Sequence, residues 1–398
     1  MDITIHPRKL RGVVHAIPSK SQAHRILICA AFSENETTIV CENTNQDIEA
    51  TAQCLRALGA EIERNETTYH VVPIKQFPKT ATLDCEESGS TLRFLLPIVC
   101  ALGVQSTIRM HGRLPYRPLS PLWEELERMG CKLSRPTETT IRTEGILSTG
   151  TYTIAGNVSS QYISGLLFGL SLLNGTSNIV ITGKLESRPY VDMTQQALRI
   201  FGVETGSLSV SGSYPFHSPG ELHVEGDWSN AAFFLAAKAL GSDVHVLNLN
   251  ENSYQGDRAI AKILNGNEQN PNVDVADIPD LVPILAVYFA ATTGVKFHNV
   301  SRLRIKESDR ICAVIDLLNA VGISAESDEN KLTVCSGVLH GGVVDACNDH
   351  RIAMAAAIAS TVADGPITVL GAECVAKSYP AFWQVFQSLG GCYEQYIR

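Results

Sequence analysis

The chain has 398 residues, enough for two or three domains, of which 44% are hydrophobic and 18% charged. This composition is typical of a globular protein and argues against a disordered one. Lys and Arg number 32 against 41 Asp and Glu, so the formal net charge is −9. Such an acidic balance disfavours a nucleic-acid-binding protein, because binding to phosphates usually requires an excess of cations.

The first residues alternate as in a strand and lack the basic and apolar regions of a signal peptide. The longest apolar stretches fall short of the roughly 20 residues that a membrane span needs. The 11 cysteines include no Cys-x-x-Cys pair, and the histidines do not stand at ligand spacing from them. We therefore expect a cytoplasmic protein with reduced thiols, without a metal, a nucleic-acid partner or a membrane partner.

One pattern recurs six times along the chain, and it predicts a mostly apolar helix that starts with small polar residues and leads into a β-branched strand. The six predicted helices span residues 19–32, 88–102, 159–173, 227–240, 277–292 and 348–362. Because these helices are apolar on all sides, we expect them to be buried. The strand after the first helix, Thr37-Thr38-Ile39-Val40, shows the β-branched character.

A second helix of a different kind follows each of these strands. These helices are predicted at residues 48–58, 121–129, 193–201, 258–264, 309–321 and 381–389. Most are amphipathic, as in the fifth repeat, where Ile311, Val314, Ile315 and Leu318 share one face. Five of the six are followed by glycine, which ends helices because it adopts a left-handed conformation at little cost.

The repeating unit is therefore β-α-β-α-β-β, and it predicts an α/β protein of two similar domains with three units and buried helices in each. Residues 19–225 are predicted to form one domain. Residues 1–18 and 226–398 are predicted to form the other, to which the N-terminal strand returns. The fourth repeat is shorter than the others, which indicates a trimmed loop and not a lost unit.

Basic residues lie close to the predicted helix starts. These cationic segments are 20–25, 88–93, 113–117, 187–190, 306–310, 348–351 and 377–380. Ordinary capping or a solvated charge explains any one of them, but a cation at a helix N-terminus opposes the helix dipole. An acidic chain with many such cations is predicted to bind multiply charged anions through charge-assisted hydrogen bonds.

Three acidic residues, Asp280, Glu307 and Asp349, accompany these cations. Asp280 is predicted to begin a helix, and Glu307 lies between Lys306 and Arg310. A carboxylate near cations stays ionised and can serve as a general base, while helix capping or a local salt bridge is the alternative interpretation. No Walker loop or convincing dinucleotide-binding fingerprint occurs, so no nucleotide or organic cofactor is expected.

In this order and spacing, the segments resemble those of the EPSP synthase family (3-phosphoshikimate 1-carboxyvinyltransferases) along the whole chain. The segments that carry the resemblance are Pro18-Ser19-Lys20-Ser21-x3-Arg25, Gly112-Arg113-x3-Arg117-Pro118-Leu119, Ser159-Ser160-Gln161, Ser187-Arg188-Pro189-Tyr190, Asp277-Ile278-Pro279-Asp280, Arg304-Ile305-Lys306-Glu307-Ser308-Asp309-Arg310, Asn348-Asp349-His350-Arg351 and Lys377-Ser378-Tyr379-Pro380. The resemblance implies the inverse α/β barrel fold of this family, with the active site in a cleft between two domains.

The resemblance also implies an activity in the shikimate pathway to chorismate and the aromatic amino acids. The enolpyruvyl group of phosphoenolpyruvate would move to the 5-hydroxyl of shikimate 3-phosphate, and phosphate would be released. No metal or organic cofactor is implied. We expect a monomer with these two small molecules as its partners.

The family's site residues carry over to matching positions of this sequence. Shikimate 3-phosphate would be bound by Ser21, Arg25, Ser159, Ser160, Gln161, Ser187, Tyr190, Asp280 and Lys306. Phosphoenolpyruvate would be bound by Lys20, Gly89, Arg117, Gln161, Arg310, Arg351 and Lys377. Asp280 and Glu307 would transfer protons, with Lys20 as a partner. The sequence departs from the family at Glu87 and Arg302, where Asn is common.

Two alternatives stay open at this point. An enolpyruvyl transferase acting on UDP-N-acetylglucosamine shares the fold and the donor, but it usually has a Cys in the loop that matches residues 112–119, and this loop has none. A non-catalytic anion-binding protein would keep the cations without needing Asp280 and Glu307. Release of phosphate from the two substrates distinguishes an enzyme from such a binder.

Overall fold

A computed structural model describes residues 1–266 and 271–396. The helices within these ranges are α1 (Lys20–Ala31), α2 (Gln46–Ala57), α3 (Gly89–Leu102), α4 (Leu122–Arg128), α5 (Ser160–Ser171), α6 (Arg188–Ile200), α7 (Trp228–Ala239), α8 (Ile260–Leu264), α9 (Val282–Ala290), α10 (Arg310–Ala320), α11 (His350–Ala359) and α12 (Phe382–Ser388). The predicted pairs of helices are thus present in all six repeats.

The strands alternate with the helices. They are β1 (Asp2–His6), β2 (Arg11–His15), β3 (Thr37–Val40), β4 (Glu61–Arg64), β5 (Thr68–Val72), β6 (Thr80–Asp84), β7 (Gln105–Arg109), β8 (Cys131–Thr137), β9 (Thr140–Gly145), β10 (Thr151–Ala155), β11 (Thr176–Thr182), β12 (Ser209–Ser211), β13 (Glu221–His223), β14 (Asp243–Leu247), β15 (Asn272–Asp274), β16 (Val295–His298), β17 (Ala325–Ser327), β18 (Lys331–Val334), β19 (Gly342–Asp345), β20 (Ile367–Leu370) and β21 (Cys392–Tyr396).

The chain divides into two compact units. The central unit is Pro18–Glu225, and the terminal unit is Met1–Ile17 together with the described residues from Gly226 onward. Each unit contains six of the helices and has its own hydrophobic core. The N-terminal strands β1 and β2 belong to the terminal unit, where β1 pairs with β20 and β21, and β2 pairs with β14.

Most repeats build the same four-stranded sheet. In the second repeat β6 and β7 are parallel, β9 is antiparallel to β7, and β8 is antiparallel to β9. The same order appears in the sheets β13-β3-β5-β4, β15-β16-β18-β17 and β19-β20-β1-β21. A parallel pair needs a long crossover, which the first helix supplies in the second, third, fifth and sixth repeats, whereas β3 and β14 pair with strands distant in the chain. The predicted α/β class is confirmed, and the sheets of the described residues are open, without a closed barrel.

Two repeats are smaller than the predicted unit. The third repeat has the three-stranded sheet β10-β11-β12, and the fourth has only the pair β14-β2. The second helix of the fourth repeat is also short, because a 3-10 turn at Gly256–Ala259 replaces its beginning and α8 ends at Leu264. The predicted trimming of this repeat therefore removes strands as well as loop residues.

The first helix of each repeat is largely buried, as its composition predicts. Nearly all of α1 and α3 is inaccessible, and α11 is buried along its whole length. Ser19, Ser88 and Ser159 cap their helices by accepting a backbone N–H, as Asp227 and Asp349 do in the terminal unit. Within the described ranges, no helix is long and apolar enough to cross a membrane.

The fifth buried helix begins later than predicted. The sequence predicts it from residue 277, but α9 starts at Val282, after a 3-10 turn over Pro279–Leu281. Proline disfavours the α conformation in the residue before it, and Ile278 accordingly has φ −132° and ψ 40°. Asp280 therefore lies in a short turn ahead of the helix and does not begin the helix itself.

Close packing of α3 against α5 brings two parts of the candidate site together. Gly165 and Gly169 face α3, and a Cβ atom on Gly165 would lie 2.1 Å from the carbonyl oxygen of Arg93. The absent side chains let the two helix backbones approach each other closely. This approach places Gln161, one turn before Gly165, within 3.1 Å of the Arg93 guanidinium.

Gly165→Ala should destabilise the central unit, because its methyl group would collide with backbone that cannot move independently. We expect the free energy of unfolding to fall by about 1–3 kcal/mol, measured by thermal or urea denaturation. Gly206→Ala is the matched control, since the nearest atom to its new Cβ would be 3.8 Å away. Equal stabilities of the two variants would contradict the close helix contact.

Candidate functional site

Lys20 opens the group of candidate residues in the central unit. It is the first residue of α1, and its Nζ lies 2.9 Å from Oδ2 of Asp47 on α2. The two side chains are 15% and 16% exposed. Asp47 was not among the residues that the sequence singled out, because an acidic residue in the first turn of a helix is ordinary.

Arg25, one turn and a residue further along α1, is buried and tied to the start of α6. Its Nε donates to Thr194 Oγ1 at 2.7 Å, and its two terminal nitrogens donate to the carbonyl oxygens of Ser21 at 2.6 Å and Tyr190 at 2.9 Å. The guanidinium also lies over the ring of Phe94 at 4.9 Å. Burial lowers the pKa of Arg25 to about 10, which still leaves it cationic at neutral pH.

Two guanidinium groups converge on Gly89, the first residue of α3. A Cβ atom on Gly89 would lie 2.6 Å from Nη1 of Arg93 and 2.7 Å from Nη1 of Arg117, so a side chain here would displace the two guanidinium groups. Gln161 joins the group by accepting from Arg93 and by donating to Ser90 Oγ at 2.9 Å. Two cations at the positive end of a helix dipole form an anion-binding arrangement.

Arg93 also belongs to this group around Gly89. In the sequence it lies in the cationic segment 88–93 but is not among the predicted site residues. Its position within α3 suggested a helical surface charge, and only the packing of α5 against α3 shows that it reaches Gln161. The structure also accounts for Glu87. Its carboxyl group lies against Gly112, where a Cβ atom would be only 2.5 Å from Glu87 Cδ, so Glu87 packs on the loop that carries Arg117.

The serines assigned to the acceptor substrate take different places in the central unit. Ser159 caps α5, with its Oγ accepting from the Gln161 N–H at 3.3 Å, and Ser160 is buried beside it. Ser187 has a left-handed conformation with φ 54° immediately before α6, and Tyr190 follows in the first turn. Arg25 links Ser21 and Tyr190 by donating to both of their carbonyl oxygens. Gln161 instead forms hydrogen bonds with Arg93 and Ser90 near the start of α3.

Arg310 is the centre of the corresponding group in the terminal unit. This first residue of α10 is fully buried, and its guanidinium contacts three carboxylates: Asp280 and Glu307 at 2.7 Å each, and Asp349 at 2.9 Å. Burial disfavours its charge, but these carboxylates outweigh that effect and raise the pKa of Arg310 above its usual range. Since Asp349 also caps α11, Arg310 ties two helix starts together.

Asp280 is surrounded by cations. Besides Arg310, Arg351 lies 3.2 Å from Oδ2 and Lys306 lies 3.5 Å from Oδ1. Burial alone would raise the pKa of Asp280, but Arg351, Lys306 and Arg310 together hold it well below the ordinary value. Asp280 is therefore ionised at neutral pH. Burial also lowers the pKa of Lys306, an effect that Asp280 opposes.

Most of the residues predicted for the terminal unit are thus brought together. Asp280, Lys306, Glu307, Arg310 and Arg351 form one connected cluster. The remaining residue, Lys377, donates to the carbonyl oxygen of Asn348 at 2.9 Å, beside the start of α11. Arg302, where the family often has Asn, is buried and donates to the Ala276 carbonyl oxygen at 2.6 Å, which is a structural role.

Asp257 is a buried carboxyl group that the sequence gave no reason to single out. It is 1% exposed and accepts a hydrogen bond from the Ser229 hydroxyl. Burial, and next the negative charge of Asp280, raise the pKa of Asp257 to about 7, although Arg351 opposes the shift. An acidic residue after Gln-Gly in a loop carries no sequence signal of burial, so only the tertiary structure identifies it.

A group away from these clusters has the side chains that metal ions prefer. The ligand atoms of Asp84, Glu86 and His111 lie within 4.8 Å of one another, and the last two residues are exposed. Asp84 Oδ1 already contacts His111 Nε2 and the Glu86 N–H, both at 3.0 Å. Such surface contacts form commonly without a metal, so we assign none, and the expectation of a metal-free protein stays a prediction.

Comparison with solved structures defines the class of this fold. An EPSP synthase from Acinetobacter baumannii superimposes with a TM-score of 0.79 at 24% identity, covering 99% of this chain and all of that one. The enolpyruvyl transferase NikO from Streptomyces tendae superimposes with a TM-score of 0.73 at 17% identity, covering 99% and 98%. The fold is therefore that of the enolpyruvyl transferases.

Comparison of sequences narrows this class. Residues 5–386 match the model of the family described as EPSP synthase (3-phosphoshikimate 1-carboxyvinyltransferase). A relative named 3-phosphoshikimate 1-carboxyvinyltransferase from Clostridium botulinum is 40% identical, with 98% of each chain covered. A relative of the same name from Clostridium kluyveri is 39% identical, covering 98% of this chain and 97% of its own. The chain belongs to the EPSP synthase family, which favours the main prediction over the UDP-N-acetylglucosamine alternative.

Asp257→Asn should change how stability depends on pH. The folded pKa of about 7 exceeds the ordinary value of 3.8, so between these values the folded chain holds a proton that the unfolded chain has lost. Wild-type stability from this group therefore falls as pH rises from about 4 to 7 and is level above that. The melting temperature of Asp257→Asn minus that of wild type should rise over this interval.

Thermal melts at several pH values measure this difference, with the exposed residue Asp316 changed to Asn as the control. The control should melt in parallel with wild type throughout. A constant difference between Asp257→Asn and wild type across the whole range would show that Asp257 does not titrate near neutrality in the folded protein.

Proposed function

We propose that this protein transfers the enolpyruvyl group of phosphoenolpyruvate to the 5-hydroxyl of shikimate 3-phosphate. The hydroxyl oxygen bonds to C2 of the donor as the hydroxyl loses its proton and C3 gains one. The bond from C2 to the phosphate oxygen then breaks, C3 gives up a proton so that the double bond returns, and phosphate leaves. Family membership supports this proposal. The observation that carries it is the placement of cations at helix starts in both units, together with carboxylates that a mere anion binder would not need.

The central unit offers groups for a small anion at the start of α3. The N–H groups of this helix start at Gly89, and Arg93 and Arg117 converge there. Guanidinium groups bind phosphates and carboxylates through paired hydrogen bonds, which suits a donor that carries both. We assign these groups, with Lys20 and Gln161, to phosphoenolpyruvate. The residues assigned to shikimate 3-phosphate are Ser21, Arg25, Ser159, Ser160, Ser187 and Tyr190, together with Gln161, which contacts both substrates in this proposal.

The terminal unit supplies Asp280 as the proposed base for the attacking hydroxyl. Lys306 and Arg351 hold it ionised, but they also reduce its affinity for a proton. Substrate anions would draw these two cations toward themselves and so raise the pKa of Asp280. The carboxylate would then become more basic when the substrates are bound.

Glu307 is the second carboxylate of the proposed reaction. It is 26% exposed and contacts Arg310 at 2.7 Å. Positive charge develops at C2 of the donor when C3 is protonated, and a carboxylate near the reacting group favours that charge. Arg310, Arg351 and Lys377 are assigned to the donor, and Lys306 to shikimate 3-phosphate. A monomeric state and a cytoplasmic location stay predictions.

The activity is tested by incubating the full chain with both substrates and measuring inorganic phosphate. We expect phosphate release that requires both shikimate 3-phosphate and phosphoenolpyruvate. Release of phosphate from the donor alone would indicate a hydrolase. Binding of both compounds by calorimetry without phosphate release would identify a non-catalytic anion-binding protein and overturn the proposal.

Lys20→Ala and Arg117→Ala should each reduce kcat/KM by about 100-fold or more, because each removes a charged contact to an anionic substrate. Their thermal midpoints should stay near that of wild type, since the proposed role of both side chains is to bind ligand and not to hold the fold. Lys132→Ala, an exposed lysine of the same unit, is the control. A large loss of stability with near-normal turnover would show that the two cations are structural.

Asp280→Asn should lower kcat by about 100-fold or more while changing the affinity for shikimate 3-phosphate much less. The amide keeps the volume of the carboxylate but cannot accept the hydroxyl proton. Steady-state kinetics and calorimetry separate the two quantities. Equal losses in kcat and in affinity would contradict the assignment of Asp280 as the base.

A further inference from the structure

A chain of hydrogen bonds runs through the interior of the central unit and involves none of the residues assigned so far to the reaction. It starts at His24 on α1, which is 0% exposed, and whose Nδ1 lies 2.7 Å from Thr51 Oγ1 on α2. Thr51 Oγ1 lies 2.7 Å from Thr91 Oγ1 on α3. Thr91 donates to Ser88 Oγ at 2.8 Å, and Ser88 is the residue that caps α3.

The acceptors along this chain favour one tautomer of His24. Thr91 has two acceptors besides Thr51, which are Ser88 Oγ and the carbonyl oxygen of Asp47, 3.4 Å away. When Thr91 donates to one of these, it accepts from Thr51, whose only hydroxyl proton is then used. We therefore assign the proton of His24 to Nδ1, which donates to Thr51, so Nε2 carries none.

The surroundings of His24 agree with a neutral ring. Burial, and then the positive charges of Lys20 and Arg25, hold its pKa well below the ordinary value of 6.5. The Phe94 ring packs edge-on against the imidazole at 6.4 Å. Nε2 has no hydrogen-bond partner among the described residues.

The hydrogen bond from His24 to Thr51 runs parallel to the ion pair from Lys20 to Asp47. Lys20 and His24 are four residues apart on α1, and Asp47 and Thr51 are four residues apart on α2, so each pair spans one helical turn. The ion pair is partly exposed, whereas the hydrogen bond is buried. Two polar contacts one turn apart restrict the sliding and the rotation of one helix against the other more than a single contact does.

We infer that His24 is a positioning residue that holds Lys20, Asp47 and the start of α3 in place through its hydrogen bonds with Thr51 and Thr91. The inference rests on the proposed function, in which Lys20 and Gly89 bind phosphoenolpyruvate. His24 itself touches neither substrate. Its effect is larger on the donor, because Ser21 and Arg25, which lie on the same helix and are assigned to shikimate 3-phosphate, are also held by the contacts of Arg25 with Thr194 and Tyr190.

Variants of the chain test this role. His24→Leu removes the donor to Thr51, and Thr51→Val and Thr91→Val remove hydroxyl groups with little change of shape. Each should raise the KM for phosphoenolpyruvate by about five- to tenfold, the effect of one buried hydrogen bond, with little change in the KM for shikimate 3-phosphate. His24→Asn places an amide N–H where Nδ1–H was, so its KM values should stay within about twofold of wild type.

Thr37→Val is the matched control. Thr37 is also fully buried in the central unit, and its Oγ1 lies 2.8 Å from Ser218 Oγ, so the change likewise removes a hydroxyl pair. It should lower stability as Thr51→Val does, without changing either KM. Equal increases of both KM values in His24→Leu, or failure of His24→Asn to preserve the donor KM, would overturn the inference.

A measurement without substrate separates this inference from the proposed function. Nitrogen NMR of the full chain labelled at histidine should show the Nδ1–H tautomer of His24, with no titration between about pH 5.5 and 8.5. An Nε2–H tautomer or a protonated ring would overturn the positioning role even if the enzyme is active. Absence of phosphate release from wild type together with the Nδ1–H tautomer would overturn the proposed function and leave the hydrogen-bond chain as structural.

Discussion

Repulsion among cations that share a small volume is the constraint on which the candidate site depends. At Gly89 two guanidinium groups face the positive end of a helix, and around Arg310 several cations lie close together. The terminal unit resolves the repulsion with carboxylates that contact each cation, and Arg310 alone contacts three of them. Such an arrangement keeps the cations in place, so that in the proposed function an incoming anion would exchange with a carboxylate and not with bulk water.

The two units meet the same constraint by different means. In the central unit Arg25 is held by backbone carbonyl oxygens and Arg93 by Gln161, which are neutral acceptors. In the terminal unit the acceptors of Arg310 are charged, and burial together with the charge of one of them, Asp280, raises the pKa of the nearby Asp257. The proposed acid–base carboxylates accordingly belong to the terminal unit, where they also balance charge.

Both groups of charged residues are built around the starts of the buried helices, which recur in every repeat. Each repeat carries a buried helix whose N-terminus follows a strand, and three repeats in each unit supply several such helix starts. Close helix packing then determines which side chains meet. The glycine contact of α5 with α3 brings Gln161 to Arg93, and the parallel contacts of α1 with α2 hold Lys20 beside Asp47.

The sequence by itself determined the six repeats, the burial of the first helices and the motifs of the family, because hydrophobic periodicity and capping residues are local signals. Only the tertiary structure determined which side chains contact one another. Asp47, Arg93 and Asp257 look like ordinary charged residues in the sequence, and His24 looks like an ordinary helical one. Their roles follow from contacts between residues distant in the chain, and from the loss of water around them, which no local pattern records.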